Sequence, residues 1–126
     1  TAVRTGNQSP SYVNRPPSQP AVATALGGDL AALAPRLQVQ RDLLCDGLTG
    51  LGFDVVQPQA TYFATVDVGS DAVKFCRELA RTAGVVAIPS SVFYDSPAGD
   101  HYVRVAFCKR PEVLEEALRR LKGFPG

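Results

Sequence analysis

Little in this chain suits metal or redox work. A single histidine, His101, and three scattered cysteines, Cys45, Cys76 and Cys108, form no Cys-x-x-Cys pair and supply too few ligands at usable spacing for a zinc site. The odd cysteine count also defeats a complete disulfide scheme. Each cysteine falls in an apolar stretch, so all three are expected to pack as small hydrophobes in a reducing compartment. No apolar run approaches the roughly 18 residues of a spanning helix, and the N-terminus lacks a basic region followed by an apolar segment. A soluble, cytoplasmic protein with no membrane partner is the expectation. A formal net charge of +1 gives no electrostatic reason to expect nucleic acid. No phosphate-binding glycine loop is present: Gly27-Gly28 lies between two helical segments and lacks the Gly-x-Gly-x-x-Gly spacing. Ser90-Ser91 sits in no Gly-x-Ser-x-Gly elbow, and one distant histidine makes no triad. A starting methionine is missing as well, which suggests a chain cut from a longer one.

What remains is ordinary globular material. The 126 residues are 45% hydrophobic and 20% charged, enough for one domain or a piece of a larger one; such a chain buries roughly two-thirds of its unfolded surface. Pro10, Pro16, Pro17 and Pro20 make the first 20 residues a connector that cannot be one continuous helix. Ala21 to Leu26 then reads as a short helix ended by Gly27-Gly28. Leu33, Leu37, Leu44, Leu48 and Leu51 line one face of a long helix, with Arg36, Arg41 and Asp42 available for solvent; Pro35 is tolerable only in its first turn or at a kink. Phe53 to Val56 and Thr61 to Val68 read as strands. Asp71 begins a helix with the stripe Val73, Cys76, Leu79, Ala80 and Ala83, and Gly84 stops it. Val85 to Ile88 reads as a strand, followed by a Pro-Ser-Ser loop and a polar turn from Asp95 to Asp100. A last helix opens at Pro111, with Glu112, Glu115 and Glu116 before Arg119, Arg120 and Lys122, as the helix dipole favours. Its buried face is Val113, Leu114, Ala117, Leu118 and Leu121. This order predicts an α/β fold, a small mixed sheet with helices packed on one face.

The most informative single residue is Arg104, in the apolar strand His101 to Cys108. On a pleated strand it shares a face with Tyr102, Ala106 and Cys108, while Val103, Val105 and Phe107 point the other way. Both faces are mostly apolar, so the strand is expected to be covered, and a covered guanidinium needs a carboxylate from the protein or from a ligand. From spacing alone, an edge strand with Arg104 turned to water or a pair with one of the chain's own acids is the simpler explanation. Tyr62, Tyr94 and Tyr102 could approach a ligand, although aromatic residues beside strands are more often core.

Several pieces, in order, resemble one family. Gly84-Val85-Val86-Ala87-Ile88-Pro89-Ser90-Ser91-Val92-Phe93-Tyr94, a short loop, Tyr102-Val103-Arg104-Val105-Ala106-Phe107-Cys108 and an amphipathic helix resemble the C-terminal part of class I/II aminotransferases, pyridoxal-phosphate enzymes of fold type I. Pro17-Ser18-Gln19-Pro20-Ala21-Val22-Ala23 resembles the lead into that family's small domain. Arg41-Asp42-Leu43-Leu44 with Gly47-Leu48 and Gly52-Phe53 is similar to its long helix, and Ala60-Thr61-Tyr62-Phe63 to its next strand. Phe93-Tyr94 and Phe107-Cys108-Lys109-Arg110 look closest to the branch holding N-succinyldiaminopimelate, kynurenine and methionine aminotransferases.

The resemblance implies that residues 1–28 close the large domain and connect it to a small C-terminal domain, 29–126. It gives Arg104 the task of binding the substrate α-carboxylate and makes Asn14 and Arg15 candidate contacts to a second subunit's active site in a homodimer. It implies amino acid and 2-oxo acid substrates and pyridoxal 5'-phosphate as cofactor. None of Lys74, Lys109 and Lys122 stands in the family's Ser-x-x-Lys setting, so the cofactor would be held mainly by a large domain outside this chain. On this reading the chain contains no catalytic residue and is inactive alone. A non-enzymatic α/β binding or interaction module that has lost the catalytic domain is the other expectation.

Overall fold

The computed structural model describes residues 18–28 and 32–124. The chain divides into two compact units, Thr1–Pro35 and Arg36–Gly126. In the first unit, helix α1 (Ser18–Leu26) starts three residues earlier than the prolines suggested. Pro20 falls in its first turn, where no intrahelical N–H is needed. The remaining elements are α2 (Leu33–Gly50), β1 (Asp54–Val56), β2 (Phe63–Asp67), α3 (Ala72–Thr82), β3 (Ile88–Pro89), β4 (Tyr102–Ala106) and α4 (Pro111–Leu121). Two 3-10 turns, Ser90–Phe93 and Pro97–Gly99, join β3 to β4.

The sheet order is β1-β2-β4-β3, and every hydrogen-bonded pair is antiparallel. The expected mixed sheet is therefore corrected to an antiparallel one. Passage from β2 through α3 does leave β3 running in the same direction as β2, as a helical crossover should. But β4 inserts between them and runs against both, so the two parallel strands never pair.

One sheet face carries the core. Val66 and Val103 are buried with Leu44 and Leu48 of α2, Phe75, Cys76 and Leu79 of α3, Phe107, and Leu114 and Leu121 of α4. Phe75 meets Phe53 and Phe124 edge to face, with ring centroids 6.2 and 5.4 Å apart. The expected stripe of α3 needs one exchange: Phe75 is buried and Ala80 exposed, because the helix leans its large ring towards Phe53 and Phe124. In α2 only Leu44 and Leu48 of the expected leucines are fully buried, joined by Cys45 and Gln40; Leu33 is exposed. Arg41 is half-buried rather than free in solvent, donating to Asp42 and to the Pro58 carbonyl.

Local chemistry fixes the element ends. The Asp71 carboxylate accepts from the backbone N–H groups of Val73 and Lys74, both at 2.9 Å, and so caps α3. The Ala72 N–H donates to Asp100 O at 2.8 Å, which ties this helix start to the turn before β4. Gly84, with φ of +63°, turns the chain after α3. The expected strand Val85–Ile88 shrinks to Ile88–Pro89, because Val85 to Ala87 join no ladder and Val86 is exposed.

Candidate functional site

Strand β4 is an interior strand, and Arg104 occupies its middle, in register with Thr65 of β2 and Ile88 of β3. Paired residues point to the same side of a sheet. Arg104 therefore shares its face with Phe63, Thr65, Tyr102, Ala106 and Ile88, on the side opposite Val66 and Val103. Among the described residues of Arg36–Gly126, no helix packs on this side. Arg104 is half-buried, and Val56 and Ile88 are exposed. The expectation of a strand covered on both faces is corrected: all the helices that share the core with the sheet lie against the Val103 face. Cys108, expected to be packed, is exposed two residues beyond the end of β4.

The surroundings of the guanidinium are aromatic rather than acidic. Its Cζ lies 4.0 Å from the ring centroid of Phe93 and 4.8 Å from that of Phe63. Ring faces are electron-rich, and such contacts contribute about 0.5–1 kcal/mol at exposed sites and up to ~2 when desolvated. Among the described residues no carboxylate stands within ion-pair distance of Arg104: Asp42 serves Arg41, Asp67 lies 3.7 Å from His101, and Glu116 holds Arg119 and Arg120. Nor does the side chain hydrogen-bond to a described residue. Its five N–H donors are arranged as a planar fork, and stacking consumes the plane's face, not those edges. The site can accept a planar anion, best a carboxylate held by two parallel hydrogen bonds.

Phe93 reaches this place because β3 ends in the 3-10 turn Ser90–Phe93, closed by the Tyr94 N–H on Ser91 O at 3.2 Å. Gly99 lies beneath that turn; a Cβ there would stand 2.6 Å from Tyr94 Cδ2 and 3.2 Å from the Ser90 carbonyl carbon. Sequence reasoning used Phe93 only as a mark of family branch and gave Phe63 no role. The available signal was the pair of aromatics flanking the Arg104 strand, but only the register of β2 against β4 turns it into a contact. Tyr62 is exposed at the start of β2, packed edge to face on Phe63.

The other candidates assemble nothing. Ser91 and His101 line one cavity of about 440 Å³ with Asp71 and Asp100, yet no hydrogen bond joins the serine to the histidine. Ser90 is buried, and its Oγ has no partner among the described residues. Burial pushes the Cys45 and Cys76 thiols above their ordinary value, as expected of packing residues. Asn14 and Arg15 lie outside the described residues.

The residues present do not by themselves fit pyridoxal phosphate, which needs a lysine for its aldehyde. Lys74 is exposed on α3, Lys109 lines an apolar groove of about 500 Å³ with Val105 and Val113, and Lys122 follows α4. All three lie with the helices, not on the face of Arg104.

Comparison with known proteins places these features in a family. The family model described as aminotransferase class I and II matches residues 5–121. A probable N-succinyldiaminopimelate aminotransferase of Mycobacterium tuberculosis is 44% identical over 135 residues, covering 94% of this chain and 34% of that protein. The methionine aminotransferase of Escherichia coli is 31% identical over 127 residues, covering 95% of this chain and 33% of its own length. Among solved structures, the N-succinyldiaminopimelate aminotransferase from Mycobacterium tuberculosis superposes with a TM-score of 0.77 over 95% of this chain and 33% of that one, at 44% identity. An aspartate aminotransferase from Thermotoga maritima gives the same TM-score, 0.77, at 26% identity, over 94% of this chain and 30% of that one. The chain thus spans about a third of the length of the curated relatives it matches.

Proposed function

Since the chain belongs to the class I and II aminotransferase family, we propose that it is the part of a pyridoxal-phosphate-dependent aminotransferase that grips the substrate's carboxylate, with Arg104 as the ligand. The single observation that carries this reading is the Arg104 guanidinium: half-buried in the middle of an interior strand, flanked by Phe63 and Phe93, and without a carboxylate partner among the described residues. A substrate α-carboxylate completes that arrangement, each charge-assisted hydrogen bond contributing roughly 1.5–3 kcal/mol.

Members of this family use pyridoxal phosphate, which when bound supplies the electron sink for chemistry at the amino acid's Cα. Arg104 contributes orientation: anchoring the carboxylate fixes the Cα relative to whatever stands opposite, which removes rotational freedom from the reacting pair. In this reading residues 1–28 are the end of the large domain and the connector, and residues 29–126 are the small domain. The whole protein is a homodimer that moves an amino group between an amino acid and a 2-oxo acid, with Asn14 and Arg15 reaching the second subunit's site.

Because no lysine stands on the Arg104 face, the chain alone is expected to be inactive. Titrated with pyridoxal phosphate, it should develop no saturable, stoichiometric Schiff-base absorbance and turn over no amino acid. Stoichiometric Schiff-base formation by the chain would contradict this assignment of labour.

A further inference from the structure

We propose that Phe93 is a positioning residue for Arg104, stacking on the guanidinium so that the N–H fork faces outward in the plane where a carboxylate can meet both of its donors. This inference rests on the carboxylate-binding reading above. An arginine has several freely turning bonds and is usually pinned by hydrogen bonds to acids or carbonyls. Arg104 has neither among the described residues, so no polar contact from a described residue fixes its plane. Its nearest constraint is the Phe93 ring, with the centroid 4.0 Å from Cζ; the Phe63 ring is further off, at 4.8 Å.

Phe93 does not serve the core. It is 57% exposed and takes no part in the buried core, yet it is carried on a short turn whose packing around Gly99 leaves no room for a Cβ. A packed turn presenting an exposed ring to a cation that has no carboxylate partner among the described residues is the arrangement expected of an orienting plate. Stacking occupies a face of the guanidinium, which favours approach of a planar anion along its edge. A carboxylate presented edge-on satisfies that requirement.

The test is a double-mutant cycle in the full-length protein, with the amino donor that the wild type turns over best. Phe93→Leu keeps the bulk and removes the π face; it should raise KM about three- to tenfold while kcat changes much less, and Phe93→Tyr should recover most of the loss. In an Arg104→Ala background Phe93→Leu should add almost nothing, because the residue it positions is gone. An unchanged KM in Phe93→Leu, or an effect of equal size with and without Arg104, overturns the proposal. The two readings fail differently. If Arg104→Ala leaves KM unchanged, carboxylate binding by Arg104 is wrong and the role of Phe93 falls with it; if Arg104→Ala raises KM and Phe93→Leu does not, only the role of Phe93 is wrong.

Discussion

At the scale of single residues, burial sorts the three cysteines. Cys45 and Cys76 are buried with thiols pushed upward by desolvation, whereas Cys108 lies in the open two residues beyond the Arg104 strand. Thiolate is the reactive form, and it needs both access and ionisation. In the folded chain at mildly alkaline pH, one thiol should react quickly with a disulfide reagent and two only on unfolding. Fast reaction of all three thiols in the native chain would contradict the packing described. The sequence read two of these residues correctly and missed the third for a physical reason. An apolar neighbourhood in sequence marks a strand, but which strand face meets helices depends on where the helices dock. The same uncertainty surrounded Arg104: its neighbours Val103 and Phe107 are buried, while Arg104 itself looks out between two phenylalanines.

At the scale of elements, helix α3 depends on its cap. The Asp71 side chain satisfies two N–H groups that the first helical turn leaves free. Asp71→Ala should destabilise the fold by about 1 kcal/mol, read as a lower denaturant midpoint with unchanged slope. Helix α4 carries an acid-sensitive cluster: hydrogen bonds from Arg119 and then Arg120 hold the Glu116 carboxyl at about 2, below its ordinary 4.5. A carboxyl lowered in the folded state stabilises above the unfolded value and loses that contribution as pH falls towards the folded one. The stability of the chain should therefore acquire a decline between about pH 4.5 and 2 that Glu116→Gln reduces. High salt should shrink the effect, since these groups face water. An identical pH profile in the variant would remove the cluster from the account.

These helices were legible because their signals are local. Asp71 as helix start, Pro111 in a first turn and Gly84 as stop follow from short-range sterics and hydrogen bonding. The sheet was less so. Strand existence could be read from β-branched runs, but the insertion of β4 between β2 and β3 is set by packing over long sequence separations, and that insertion made the sheet antiparallel. The pairing of Phe63 with Ala106, which brings an aromatic ring beside Arg104, was illegible for the same reason.

At the scale of the whole molecule, the chain matches about a third of its relatives' length, and among the described residues of Arg36–Gly126 the helices pack on one face of the sheet only. Exposed Val56, Ile88 and Phe93 lie around Arg104 on the other face, an apolar surface with one cation at its centre. Among the described residues no helix is long and apolar enough to cross a membrane, and no group of three His, Cys, Asp or Glu is placed to hold a metal.

The central claim, that Arg104 is the substrate's carboxylate ligand, is tested most directly by steady-state kinetics of Arg104→Ala in the full-length protein loaded with pyridoxal phosphate. Loss of a bidentate, charge-assisted contact should raise the KM for the amino donor about 10- to 100-fold while the affinity for pyridoxal phosphate stays close to wild type. An unchanged KM, or a loss of cofactor affinity as large as the loss of substrate affinity, would contradict the claim.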